Sequence, residues 1–196
     1  MKISSTLRTL AAACAFAVAS QAGAAVLQVN TSGILTGATG VNVGGMLYDV
    51  TFADGSCNSL FNGCAQSAFS FNTQPSALLA GQALLDQVLI NSVAGQFDSL
   101  TSKTFGCSSN NCFTVIPYGR ETVNLVSTVF VNNVSQEQLD EAFGVNFGES
   151  FETSGVGNAN YAIFQLAGPT DVPEPTSTAL FGLALAGLAF TRRRKA

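Results

Sequence analysis

The chain has 196 residues, a formal net charge of −4, and no histidine or tryptophan. Its charge is unevenly placed: residues 25–172 hold eleven acidic and two basic residues, a net charge of −9, whereas four bases lie at 192–195. An acidic middle without clustered Lys or Arg offers no phosphate-binding surface, so nucleic acid is excluded as a partner. The absence of histidine excludes His-based catalytic triads, histidine general bases and histidine zinc ligands.

The first 24 residues have the three parts of a secretory signal peptide. Two bases precede an apolar run over residues 10–19, and Ala22 and Ala24 fit the small-x-small cleavage rule. The apolar run is too short to span a bilayer, which disfavours an uncleaved anchor. Cys14 lies inside the run rather than at its end, which disfavours a lipoprotein. We therefore expect export and a mature start near Ala25.

Strand patterns follow the mature start. Residues 26–29 form a short apolar run, and residues 41–43 and 46–52 flank Gly44-Gly45, a two-residue hairpin signal. Further strands are predicted at residues 68–72, 112–118, 123–131 and 161–166.

Two helices are predicted between these strands. Residues 75–90 form the main helix, with Pro75 in its first turn or Ser76 as its cap. Its broad apolar face consists of Leu78, Leu79, Leu85, Val88 and Leu89. Residues 135–138 have capping-box spacing and open a short helix that ends at Gly144. The expected fold class is α+β: an antiparallel β-sheet with one main and one short helix packed on it, within a domain over residues 25–168.

Four cysteines remain after signal cleavage, and their even number in an oxidising compartment predicts two disulfides. Three pairings are possible. We favour Cys57–Cys64 and Cys107–Cys112, because each pair flanks a short polar loop. A zinc site is disfavoured, since the first spacing is wide and export favours oxidation. We expect no metal and no cofactor.

The C-terminus combines three features in a fixed order. A linker over residues 169–175 contains Pro173-Glu174-Pro175, an apolar stretch covers 176–191, and a basic tail covers 192–196. At about 1.5 Å per residue, sixteen helical residues reach roughly 24 Å, short of the ~30 Å hydrocarbon core. We therefore predict a short single transmembrane helix, with the basic tail in the cytoplasm.

Together these features resemble the PEP-CTERM sorting signal of Gram-negative bacteria. The resemblance implies that exosortase, a membrane protease or transpeptidase, processes the chain, and that Pro173, Glu174 and Pro175 are recognition residues. It also implies transient residence in the inner membrane, followed by transfer to the cell surface or extracellular matrix of a bacterium that makes extracellular polysaccharide. The alternative is a plain single-span anchor.

The central domain shows no pattern typical of catalysis. A carboxylate pair is the natural machinery without histidine, but no spacing singles one out, and Gly-x-Ser-x-Gly is absent. Asp54, Asn58 and Asn62 suit calcium, but such residues also favour turns. We expect a structural or adhesive role without catalysis. The alternative is a polysaccharide-binding or carbohydrate-active surface domain, although exposed aromatic platforms for sugars would rest on three tyrosines.

Overall fold

The structure, a computed structural model, describes residues 24–134 and 139–168. Of these residues, 45% lie in strands and 17% in helices. In this part of the chain the strands are β1 (Val26–Val29), β2 (Leu35–Val43), β3 (Met46–Ala53), β4 (Asn91–Ser92), β5 (Gly95–Gln96), β6 (Asn111–Arg120), β7 (Leu125–Val134), β8 (Glu141–Gly148) and β9 (Ala159–Leu166). The helices there are α1 (Cys57–Leu60) and α2 (Gln74–Gln87), with 3-10 turns at Gln66–Ala68 and Thr101–Lys103.

Seven of these strands form one sheet in the order β1-β2-β3-β9-β6-β7-β8. Neighbours are antiparallel except β6 and β9, which run parallel and pair from Phe113 opposite Ala159 to Val115 opposite Tyr161. We call this pairing the seam, because it joins two antiparallel blocks, β1-β2-β3-β9 and β6-β7-β8. The predicted fold class, an α+β antiparallel sheet with two packed helices, is therefore wrong: the domain is mostly β, and its sheet is mixed.

Two local predictions at the start of the sheet are confirmed. Strand β1 has the predicted bounds, and Gly44-Gly45 forms the turn between β2 and β3, with Val43 opposite Met46. Both glycines have positive φ, 59° and 93°, which other residues rarely adopt. The Asn42 side chain accepts a hydrogen bond from the Gly45 amide at 2.8 Å. This tight turn sets the register of the β2–β3 hairpin.

Helix α2 covers one face of the sheet and confirms the predicted main helix. Thr73 rather than Ser76 caps it, because the Thr73 hydroxyl accepts the Ser76 amide, and Pro75 lies in the first turn as predicted. The predicted leucine face is partly wrong, since Leu79 is 57% exposed. Within the helix the buried residues are mostly small: Ala77, Ala80, Gly81, Ala83 and Leu84.

Gly81 allows a close approach between α2 and the sheet. A Cβ atom at this position would lie 3.0 Å from Ala142 Cβ and 3.0 Å from Val131 Cγ2, inside the optimal contact distance of about 3.5–4.0 Å. The helix contacts β2 in one block and β6, β7 and β8 in the other. It therefore holds both sides of the seam together from this face.

A second apolar cluster covers the seam on the opposite face. The loop that contains α1 packs there against side chains from β6, β7 and β9, and the buried members are Cys57, Phe61, Cys64, Phe69, Val115, Val126 and Tyr161. The Phe61 ring contacts the rings of Phe69 and Tyr161 at centroid distances of 5.6 and 5.8 Å. The seam is thus buried from both sides.

The predicted strand at residues 68–72 is wrong in type but correct in its alternating burial. Phe69 belongs to the second cluster, whereas the Phe71 ring contacts Tyr48 and Phe164 in the main core, at 5.3 and 5.1 Å. Between them, the Ser70 hydroxyl donates a hydrogen bond to the Phe164 carbonyl at 2.5 Å. The segment therefore passes from one face of the sheet to the other.

The predicted strands at residues 112–118, 123–131 and 161–166 are confirmed as β6, β7 and β9, with shifted ends. Pro117 lies inside β6 next to a β-bulge, although proline is usually confined to strand ends and edges. Its position is tolerated because the β9 pairing stops at Val115, so no described strand needs an amide donor from residue 117 on that side.

The predicted short helix is wrong. Residues 135–138 lie outside the described residues, and the residues after them form β8, which pairs with β7 with Phe143 opposite Phe130. Leu139, which would lie within that helix, is 93% exposed. The alternation of Phe143, Val145 and Phe147 on one face has the period of a strand, and this period prevails over the capping-box signal.

Within residues 24–134 and 139–168, every helix is too short or too polar to cross a membrane. The fold class as predicted also included a C-terminal transmembrane helix, and the described residues contain none. The predicted segment at 176–191 lies outside them, as do the linker 169–175, the basic tail and the signal sequence up to residue 23.

The packing of Gly81 predicts a position-specific loss of stability. Gly81→Val should lower the free energy of unfolding by about 1–3 kcal/mol, because the added methyl groups overlap Ala142 and Val131. Leu79→Val is the matched control and should change it by less than about 0.5 kcal/mol, since Leu79 is exposed. Urea unfolding of the two variants measures the difference. Equal losses would show that α2 does not approach the sheet as described.

Candidate functional site

Both ends of the described domain line one groove. Ala24 and Gly168 border a cavity of about 420 Å³, together with Leu47 and Asp49 of β3. The Ala167 amide donates a hydrogen bond to the Leu47 carbonyl at 2.9 Å, which holds the end of β9 against β3. The segments before and after the domain therefore leave it from the same place.

The predicted cleavage and sorting residues adjoin this groove in sequence. Ala24 is exposed and Val26, which begins β1, is 65% exposed, whereas Ala22 lies outside the described residues. Pro173, Glu174 and Pro175 also lie outside them. Pro173 lies five positions after Gly168, a span of at most about 17 Å when extended.

The cysteines lie as the sequence predicted. Cys57 and Cys64 are within disulfide distance, with their Cα atoms 4.9 Å apart, and Cys107 and Cys112 are likewise paired, with Cα atoms 5.7 Å apart. The first pair closes the loop that covers the seam. The second pair closes the connection into the start of β6.

Arg120 was not singled out by sequence reasoning, although it is one of two bases in an acidic domain. Its guanidinium donates to the Cys64 carbonyl at 2.9 Å and to the Val123 carbonyl at 2.6 Å. It also forms an ion pair with Glu149, which follows β8. Arg120 therefore ties the first disulfide loop to the ends of β6, β7 and β8.

Two carboxyl groups meet in a polar cleft of about 340 Å³ beside α2. Asp98 lies within hydrogen-bonding reach of Asp140, and Asp86 lines the same cleft. Burial raises the pKa of Asp140, and the neighbouring Asp98 raises it further, while a hydrogen bond from the Val134 amide at 2.8 Å opposes both effects. The pair links the start of β8 to the segment before β6, whereas the predicted short helix would have included Asp140.

Two metal sites were weighed from the sequence, one for zinc and one for calcium. Among the described residues, no three His, Cys, Asp or Glu side chains are arranged to hold a metal ion. The Asp54 carboxylate accepts a hydrogen bond from the Thr153 hydroxyl at 3.1 Å. Asn62 has a positive φ of 49°, typical of the turn that the sequence also allowed.

Phenylalanine rings form a continuous surface on the outer face of β6, β7 and β8. The Phe130 ring contacts the rings of Phe113, Phe143 and Phe147, and the Phe147 ring contacts that of Phe151, with centroids 4.6–6.2 Å apart. Phe151 is 41% exposed, and the others are partly buried. We call these five residues the phenylalanine surface. This apolar surface borders solvent at the β8 edge of the described domain.

The tyrosines that sugar stacking would require are turned inward. Tyr161 is fully buried, and Tyr48 is almost so. Burial raises the pKa of Tyr161 to about 12. Only Tyr118 among the three is partly accessible, so the amphipathic rings do not form a platform.

Comparison with known proteins identifies the C-terminal segment. Residues 171–195 match the family model of the PEP-CTERM protein-sorting motif, which confirms the resemblance seen in the sequence. The motif supports export, recognition by exosortase and sorting to the bacterial cell surface. No curated protein and no solved structure matches the chain.

The carboxyl pair predicts a pH dependence of stability. Because the pKa of Asp140 is raised above 3.8 in the folded domain, its stabilising contribution is present at lower pH and is lost as the pH rises through the raised pKa. Asp140→Asn keeps an acceptor for the Val134 amide and removes the ionisation. Its free energy of unfolding, relative to wild type, should increase between about pH 4 and pH 7.

Urea unfolding at both pH values measures this change. Asp86→Asn is the matched control, because it removes a charge from the same cleft while its usual partner is Gln82, at 2.9 Å. A constant difference between Asp140→Asn and wild type across this range would contradict the assignment.

Proposed function

Because the chain carries a PEP-CTERM sorting motif, we propose that it is a surface protein whose domain is delivered by exosortase and acts structurally or adhesively. The signal peptide directs export. The apolar segment 176–191 then retains the chain at the inner membrane while exosortase reads Pro173, Glu174 and Pro175. Processing near this motif releases the domain to the cell surface or the extracellular matrix.

The groove shared by the two ends of the described domain supports export followed by anchoring and processing at the C-terminus. With Ala24 and Gly168 at one groove, a chain held at either end has its remaining surface directed away from the attachment. The linker from Gly168 to Pro173 reaches at most about 17 Å. A short linker keeps the domain near the membrane and still leaves an extended, proline-containing peptide for a protease to bind.

We further propose that the domain is not an enzyme. The Asp98–Asp140 pair has a structural task, since Asp140 accepts the Val134 amide and so closes the connection between β7 and β8. Arg120, which could bind an anionic substrate, is already engaged by Glu149 and two carbonyls. Asp140 and Arg120 are therefore each engaged in contacts that hold strands together.

Polysaccharide binding is the second candidate, and the phenylalanine surface favours it. Aromatic rings on a sheet face can stack on the apolar faces of sugars. Phenylalanine, however, has no polar group at its rim, and Tyr48 and Tyr161 are buried. We therefore place the structural or adhesive role first.

Replacing the motif tests the sorting proposal. The triple variant Pro173→Ala, Glu174→Ala and Pro175→Ala should remain membrane-bound and full-length, because exosortase loses its recognition residues. Pro169→Ala is the matched control, since it removes a proline from the same linker outside the motif, and it should be processed normally. Immunoblots of membrane and surface fractions give the result. Normal processing of the triple variant would refute recognition through this motif.

A further inference from the structure

The two edges of the sheet differ in their protection against pairing with another strand. Strand β1 has four residues, and its pairing with β2 is irregular at Gln28 and Val29. Strand β8 has eight residues, one charged residue, Glu141, and no lysine or proline. Short length, irregularity, lysine and proline are the usual protections of an edge. Strand β8 therefore lacks the protection that β1 has.

The outer edge of β8 presents open backbone groups. The Val145 carbonyl accepts the Thr128 hydroxyl of β7 at 3.0 Å, so the polar groups of Val145 point towards β7. In an antiparallel pair the alternate residues, Gly144 and Asn146, direct their amides and carbonyls the other way. Both residues are exposed, and within residues 24–134 and 139–168 no strand pairs with this edge.

From this edge we propose that β8 pairs antiparallel with β8 of a second copy of the chain, about a two-fold axis at Val145. This register places Phe143 of each copy opposite Phe147 of the other, because the positions are symmetric about Val145. The phenylalanine surfaces of the two copies then form one continuous apolar face. Cross-strand aromatic pairs of this kind contribute about 0.2–1 kcal/mol each, and burial of the rings adds to this.

A shifted register is less favourable. With the axis at Gly144, the same symmetry places Phe143 opposite Val145 and Glu141 opposite Phe147. A carboxylate would then lie against an aromatic ring, with no cation near it. Burying an unpaired carboxylate costs free energy, so the register centred on Val145 is preferred.

Charge also fits the register centred on Val145. Glu141 then lies opposite the end of β8 of the second copy, where Glu149 follows the strand, and two unpaired carboxylates there would repel. The ion pair between Glu149 and Arg120 supplies the missing positive charge. Arg120, one of the two bases in this acidic domain, thus lies near the two-fold contact and offsets the charge of Glu149 there.

Cysteine cross-linking in the producing bacterium tests the proposal on the full chain. Cβ atoms of directly opposed residues lie about 4.5–5.5 Å apart, so Val145→Cys should form a disulfide between copies. Val26→Cys, on the opposite edge of the sheet, is the matched control and should remain monomeric. Non-reducing electrophoresis, with mass mapping of the linked peptide, gives the result. Adding Asn146→Pro to Val145→Cys should abolish the dimer, because proline removes an outward amide.

Three results would overturn the proposal: Val145→Cys stays monomeric, both cysteine variants cross-link equally, or cross-linking requires removal of residues 169–196. The last would mean that the C-terminal segment, not a second copy, covers β8. Cross-linking is read independently of the sorting proposal, since β7 and β8 lie in the described domain and not in the tail. Val145→Cys should therefore cross-link equally in a chain with the triple-alanine motif and in a chain with the wild-type motif.

Discussion

Three residue pairs of parallel β-structure, from Phe113 opposite Ala159 to Val115 opposite Tyr161, join the two halves of the sheet. So short a pairing cannot hold two antiparallel blocks on its own, and both faces are accordingly covered. Helix α2 contacts strands on either side of the seam. On the other face, the loop closed by Cys57–Cys64 packs over it, and Arg120 holds that loop in place. The loop closed by the disulfide and helix α2 therefore both stabilise the seam, one on each face of the sheet.

Local signals were readable in the sequence, whereas long-range pairings were not. The Gly44-Gly45 turn and α2 follow from neighbouring residues, and so does the choice of cysteine partners. Residues 69–71 have the alternating pattern of a strand because Phe69 and Phe71 pack into the clusters on the two faces of the sheet. The segment itself does not join the sheet. The pairing of β6 with β9 connects residues about forty-six positions apart, and no local pattern reports it. The mixed sheet was therefore predicted as antiparallel.

The candidate sites likewise differ in whether they depend on local sequence or on long-range strand pairing. The sorting motif is a linear signal, so its sequence suffices, and the family match agrees. Asp98 meets Asp140 only because β8 replaces the expected helix. The phenylalanine surface likewise depends on the register of β7 with β8. A domain that is sorted by one end and presents an unprotected edge at β8 is suited to assembly at a surface.

Sorting by exosortase can be read from the intact mass of the protein recovered from its native host, with membrane and medium fractions kept separate. Processing by exosortase predicts, in the surface or medium fraction, a species that begins near Ala25, lacks everything beyond the region of Pro173 to Pro175, and carries two disulfides. If every species recovered, all in the membrane fraction, still contains Arg192 to Ala196, processing by exosortase is contradicted. The chain would then be a permanently retained protein, and its sorting motif would not act as a cleavage signal.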